Sequence, residues 1–287
     1  MSFKISETQL LPQGALPIGL GCSRLGSVNG ASGPEAVALI HTALDEGIRF
    51  FDTSSIYGQG DSERLIGQVL GNRDDCIVCS KAGKYLTWKR RLLLPIKGML
   101  RGVARHSDRA RSGVAAARSK PMPVRWDKRF LLHSIDNSLR RLGRERIEMF
   151  MLHSPAAEVL PDGEAMEALA EAQKAGKLGL IGVSPDDAAC AEAALKDPRV
   201  QALQIPMLPG DSTFDGVAAA AAAAGVHVIA REILGGAQAI SGAADPGAHV
   251  RDRISELIRQ SEVTLPLVGT TKLQNLAACA AAARSAV

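Results

Sequence analysis

Short apolar runs alternate with amphipathic stretches along most of the chain. The runs PIGLG (17–21), IRFFD (48–52), CIVCSK (76–81), IEMFMLH (147–153), LGLIGV (178–183), VQALQ (200–204), VHVIA (226–230) and TLPLVG (264–269) predict eight strands. Helical patterns lie between them. One covers 36–46, after Pro34 as a start signal, and one covers 62–70 and stops at Gly71. Others fit 128–142, 163–175, 186–195, 214–224, 248–260 and 272–283. Strands that alternate with helices pair in parallel through crossover connections. Eight such units predict an α/β fold of one kind, a single closed (β/α)8 TIM barrel over 1–287. The leader FKISETQLLPQGAL is expected to plug the bottom of the barrel.

One unit breaks the rhythm. About 46 residues separate the third strand from the next helix, where such loops usually run about 2 to 6. In a barrel that insertion emerges on the C-terminal face, where active sites form. Its charge sets it apart. Residues 84–129 hold fourteen Lys and Arg against two acids, a net +12 in a chain of net +4, so the remainder carries −8. Leu92, Ile96, Met99, Leu100 and Val103 recur at helical spacing with Arg91, Lys97, Arg101 and Arg105 interleaved. Pro95 suits a helix start, while Gly98 and Gly102 weaken a helix. The plain reading is an amphipathic segment docked on the rim. A sharper one is a basic lid that favours anionic ligands. A basic amphipathic helix also suits an anionic membrane surface. Nucleic acid is not expected, because Tyr85, Trp88 and Trp126 form no stacking series.

Composition narrows the class. Hydrophobic residues make up 46% and aromatics only 3%, so the core is aliphatic and rich in alanine. The N-terminus carries no secretory pattern, and no run approaches the roughly 18 to 20 apolar residues of a membrane span. A cytoplasmic protein is expected. The five scattered cysteines do not suggest a disulfide framework. Cys76 and Cys79 form a CxxC inside a strand, where an offset of three sends the side chains to opposite faces. Packing, not redox or zinc chemistry, is expected there. GLGCSRLG (19–26) imitates a dinucleotide fingerprint, but its third glycine comes late and a loop follows it. His41, His133 and His227 read as structural, and no metal-ligand spacing is present.

The chemistry gathers at strand ends. Asp52 closes the second strand and Tyr57 follows it. Lys81 closes the third and His153 the fourth. Any one alone reads as a turn residue or a solvated side chain. Four at successive strand ends converge on one rim. A tyrosine with a free pKa of about 10 is a poor acid near neutrality, and an adjacent ammonium favours its phenolate. Lys81 is expected to lower the Tyr57 pKa, Asp52 to hold Lys81 charged, and His153 to orient a carbonyl oxygen. That is a general-acid site for carbonyl reduction.

FDTSSIYGQGDSERLIG, VCSKAG, SLRRLGRERIEMFMLHSP, KAGKLGLIGVS and LPLVGTT together resemble the successive motifs of the aldo-keto reductases, over nearly the whole chain except the basic insertion. The resemblance implies hydride transfer between a nicotinamide cofactor and an aldehyde, ketone or sugar. NADPH is the implied cofactor and NADH is possible. It also implies Asp52, Tyr57, Lys81 and His153 as the catalytic tetrad, with Tyr57 as acid. Cys22, Ser23 and Arg24 after the first strand, Ser184, Gln204 and Arg231 are implied at the cofactor, with Arg231 packed on the nicotinamide ring. Gly269, Thr270, Thr271, Lys272 and Asn275 are implied at its adenosine phosphate. The sequence departs from the family at Pro185, where Asn is usual. It departs again at Asn275, where a basic residue is usual, and at Ala278 and Cys279, where Glu and Asn are usual. Two alternatives remain: a nicotinamide-binding regulatory subunit with little turnover, and a sugar or polyol dehydrogenase running oxidatively.

Overall fold

The computed structural model describes residues 10–27, 30–87, 122–161 and 163–287. Strands β1 (Gly19–Gly21), β2 (Phe50–Asp52), β3 (Ile77–Ala82), β4 (Ile147–His153), β5 (Leu178–Ser184), β6 (Ala202–Pro206), β7 (His227–Arg231) and β8 (Leu265–Val268) pair in parallel in chain order. β8 pairs back onto β1 and closes the barrel. The helices among the described residues are α1 (Gly33–Asp45), α2 (Asp61–Leu70), α3 (Lys128–Leu142), α4 (Glu164–Lys174), α5 (Ala188–Leu195), α6 (Asp215–Ala223), α7 (Gly236–Gly242), α8 (Pro246–Arg259) and α9 (Leu273–Ala286).

Sequence and structure differ at a few ends. The β6 pairing covers Ala202–Pro206 instead of 200–204. α8 begins at Pro246 because the Asp245 carboxylate accepts the Ala248 N–H at 2.9 Å, and proline suits the first helical position. α7, GAQAISG, has no apolar stripe that periodicity would reveal, and it is an additional short helix between β7 and α8.

Alternation along each strand separates two apolar regions. Phe50, Ile77, Cys79, Met149, Met151, Ala202 and Leu265 cluster inside the barrel. Phe51, Val78, Phe150 and Leu203 belong to the core shared with the helices. Cys76 joins the outer core and Cys79 the inner one, as an offset of three on a strand requires. Leu10 packs into the inner cluster with Leu11 against it, so the described part of the leader does plug the barrel; residues 3–9 lie outside the described residues.

Buried ions brace the outer layer. Glu63 on α2 is fully buried, accepts the Ser80 hydroxyl at 2.6 Å and pairs with Arg141 of α3 at 2.5 Å. One carboxylate therefore ties two helices to β3. Near the other end of the strands, Arg144 reaches both carboxylate oxygens of Glu148 at 2.9 Å, and Glu148 in turn accepts the Val78 N–H at 3.0 Å.

The basic insertion leaves the rim through a narrow neck. Lys84 and Val124 form an antiparallel bridge, Tyr85 N–H donates to Pro123 O at 3.0 Å, and Arg125 N–H donates to Gly83 O at 2.8 Å. Gly83 has φ +119, and a Cβ there would lie 2.1 Å from Trp126, so only glycine lets the tryptophan close over the neck. The helix expected around Leu92, Ile96, Met99, Leu100 and Val103 lies outside the described residues.

Candidate active site

The barrel interior changes character toward the C-terminal ends of its strands. Two residues above Phe50 stands Asp52, two above Cys79 stands Lys81, two above Met151 stands His153, and two above Ala202 stands Gln204. A period of two keeps each of these on the same face as the apolar residue below it. The sequence thus caps an oily barrel with a polar layer, where a cavity of about 810 Å³ opens.

Lys81 is fully buried. Its Nζ donates to Asp52 Oδ1 at 2.5 Å and to Thr53 O at 2.9 Å. Asp52 Oδ1 also accepts Gln204 Nε2 at 2.7 Å, and Gln204 Oε1 accepts the Ser184 hydroxyl at 3.1 Å. Tyr57 starts a single turn, Tyr57–Gly60, between β2 and α2. Gly58 in that turn has φ +56, and a Cβ there would meet Leu25 O at 2.7 Å. Glycine therefore lets the tyrosine loop lie against the β1 loop. The Tyr57 ring stands edge-on to His153, centroids 5.7 Å apart, and Lys81 Nζ lies 5.4 Å from the Tyr57 ring centre. Asp52, Tyr57 and His153 thus line the cavity together, with Lys81 buried directly behind them.

The electrostatics correct one expectation. Burial dominates at Tyr57 and raises its pKa above the usual tyrosine value; the Lys81 charge opposes this without reversing it. Tyr57 is therefore held as the neutral phenol, a proton donor. Burial disfavours charge on Lys81 as well, but Asp52, followed by Tyr57 and Cys79, outweighs it, so the lysine pKa is raised. His153 is pushed well below the ordinary histidine value, first by burial and then by the charges of Lys81, Lys84 and Arg231. It stands as neutral imidazole. Its Nδ1 lies 2.9 Å from the Ser54 hydroxyl, which is itself fully buried. The Ser54 hydroxyl has one proton and two acceptors in reach, Nδ1 and the more distant Lys81 O at 3.4 Å; when it donates to Nδ1, the remaining imidazole proton sits on Nε2 and is available to a carbonyl oxygen. The sequence reading missed Ser54, and FDTSS gives no local signal of a bond to a residue 99 positions away.

Most of the residues expected at a cofactor share this cavity. Ser23, Arg24, Ser184, Gln204, Arg231, Gly269, Thr270, Thr271, Lys272 and Asn275 all line it. Cys22 does not: it is fully buried in the core against the helices, with its thiol donating to Leu20 O at 3.4 Å. Ala278 is exposed and Cys279 buried, and neither lines the cavity. Arg231 donates to Pro185 O at 2.9 Å and Asp186 at 2.8 Å, so the residue standing where Asn was expected offers its backbone carbonyl to the guanidinium. Among the described residues, no group of three or more His, Cys, Asp or Glu side chains gathers to hold a metal.

A closed parallel barrel with a buried Asp–Lys pair, a tyrosine and a neutral histidine at its C-terminal mouth defines a class of barrel oxidoreductase. The family model described as the aldo/keto reductase family matches residues 17–285, and the chain belongs to that family. It is 31% identical over 172 residues to the aldo-keto reductase YhdN of Bacillus subtilis, covering 58% of this chain and 42% of that one. It is 32% identical over 181 residues to D-threo-aldose 1-dehydrogenase of a Pseudomonas species, covering 59% and 50%. These matches span about half the length of each curated relative. A Klebsiella pneumoniae aldo-keto reductase solved in complex with NADPH superposes with a TM-score of 0.68 at 19% identity, covering 94% of this chain and 86% of that one. At that identity the likeness is one of fold.

Proposed function

We infer that the protein is a nicotinamide-dependent carbonyl reductase in which Tyr57 gives the proton, the Lys81 ammonium, held charged by Asp52, favours the phenolate that this leaves, and His153 orients the carbonyl oxygen. The observation that carries this reading is the Asp52–Lys81 pair buried beside Tyr57 at the mouth of a large cavity. A carbonyl oxygen seated between the Tyr57 phenol and His153 Nε2 meets two donors where negative charge develops. A nicotinamide held in this cavity would supply the hydride.

The cavity suits such a cofactor. Ser184 and Gln204 present a hydroxyl and an amide with bonding positions left over, which complement a carboxamide. α9 opens beside Gly269 and Thr270 with no side chain capping its first turn, leaving N–H groups for a phosphate. Lys272 and Asn275 line the same end, and Arg231 stands by the ring position. Ser23 and Arg24 complete the set, which is consistent with NADPH and leaves NADH possible. The substrate class is a small carbonyl compound or sugar; a relative named as an aldose dehydrogenase supports the sugar end of that range. The reading takes 1–287 as one barrel unit with 84–129 inserted at its mouth. No helix among the described residues is long and apolar enough to cross a membrane. The five cysteines are free and buried, which suits a cytoplasmic enzyme.

The direct test is NADPH consumption with a panel of aldehydes, ketones and sugars, set against fluorescence quenching as a measure of binding. Quenching without turnover on any of them would overturn the reductase reading.

Two further outcomes are expected. The pH profile of kcat/KM for reduction should be broad. With the Tyr57 pKa raised, the acid form persists until above about 10, and with the His153 pKa lowered, the imidazole stays neutral to well below about 6.5. An alkaline limb near pH 7 to 8 would contradict this. Ser54→Ala should lower kcat roughly 10-fold by releasing the imidazole tautomer. The 15N NMR signals of His153 should change with it; an unchanged tautomer would mean that Ser54 serves packing alone.

A further inference from the structure

Three cations surround the reacting centre, and two of them are not part of the buried Asp52–Lys81 pair. Lys84 and Arg231 both line the cavity, and both charges reach His153 strongly enough to lower its pKa. Their acidic neighbours, Asp186 and Glu232, line the same cavity but are the more exposed partners. The Lys84 and Arg231 side chains are 24% and 19% exposed, whereas Asp186 and Glu232 are 59% and 56% exposed. Water screens these acids more than the cations, so the acids offset the two cations only in part.

Lys84 has the less complete pairing. Asp186 gives one oxygen to Arg231 at 2.8 Å and leaves the other 3.7 Å from Lys84 Nζ. Nζ donates instead to the Ser154 hydroxyl at 2.7 Å. Burial presses on the Lys84 charge and lowers its pKa, with Asp186 compensating only in part. Ser154 directly follows His153 and is held at φ +54, a left-handed conformation that a serine adopts at a cost. That conformation sets its hydroxyl on the ammonium. Since Ser154 Oγ accepts from lysine, its own proton is still free to donate, and the ammonium has a third proton beyond those directed at Ser154 and Asp186.

We propose that Lys84 and Ser154 form a carboxylate subsite beside the carbonyl position, so that the preferred substrates are carbonyl compounds bearing a carboxylate. Two donors on one wall match the two oxygens of a carboxylate, while a phosphate would call for more donors than this wall provides. The subsite deepens the reductase reading and rests on it for substrate choice.

The test compares 3-carboxybenzaldehyde with its uncharged methyl ester, using NADPH, in the wild type, Lys84→Gln and Lys84→Arg. The wild type should favour the acid. In Lys84→Gln the acid-to-ester ratio of kcat/KM should fall roughly 10- to 100-fold, mostly through KM, as loss of a charged hydrogen bond implies. Lys84→Arg should keep much of the preference, and added salt should weaken it in the wild type. An acid-to-ester ratio that Lys84→Gln leaves unchanged would overturn the proposal, as would a wild type indifferent to the charge. Benzoate binding followed by ligand-observed NMR reads the subsite without turnover: Lys84→Gln should weaken it at least about 10-fold, and equal binding would overturn the proposal. A wild type that binds benzoate through Lys84 yet reduces neither aldehyde would sink the reductase reading and leave the subsite standing.

Discussion

Tyr57→Phe is expected to cut carbonyl reduction by roughly 10²- to 10⁴-fold while NADPH binding stays near wild type. The phenol is held neutral by burial, close to Lys81 and edge-on to His153, so the substitution removes a proton donor and little else. The chain has two tyrosines, and Tyr85 packs on Phe130 at the insertion neck with ring centres 5.7 Å apart, away from the cavity lining. It cannot take over the role without moving. Single-turnover kinetics with NADPH already bound would isolate the chemical step. Turnover in Tyr57→Phe equal to wild type would remove Tyr57 as the acid.

Arg141→Met is expected to destabilise the fold by roughly 2 to 4 kcal/mol, because it strands a fully buried carboxylate. Among the described residues, Glu63 would keep the Ser80 hydroxyl as its side-chain partner. Arg141 is itself 20% exposed, which tempers the loss by letting water approach. The check is urea denaturation of the single variant and of Arg141→Met combined with Glu63→Gln. The neutral amide should recover part of the loss. A single variant as stable as wild type would show that water solvates Glu63 despite its burial.

Much of the architecture was legible in the chain because it follows from periodicity. The eight apolar runs became the eight strands, and their last polar residues, Asp52, Lys81 and His153, met at one rim because parallel strands all end on the same side. Properties that depend on three-dimensional surroundings were not legible. The ammonium beside Tyr57 could be guessed from strand order, but the desolvation that outweighs it could not, so the expected direction of the pKa was wrong. Ser54 contacts His153 across 99 positions. Glu63 looks like an ordinary exposed helix residue until Arg141 and Ser80 are placed around it. Cys22 follows the first strand where a cofactor contact was expected, yet its side chain belongs to the core. α7 escaped notice because its seven residues, GAQAISG, carry no apolar stripe.

The neck joining Gly83 and Lys84 to Val124 and Arg125 has an evolutionary consequence. Since both ends of the insertion are already held together by the bridge and by Trp126 over Gly83, changing the length between them costs little, about 0.6 kcal/mol for each doubling of a flexible loop. The barrel can therefore keep its chemistry fixed while descendants lengthen, shorten or exchange the segment at its door. Recombination at that junction would diversify ligand choice without disturbing the strands, which makes it a natural graft point for altered selectivity.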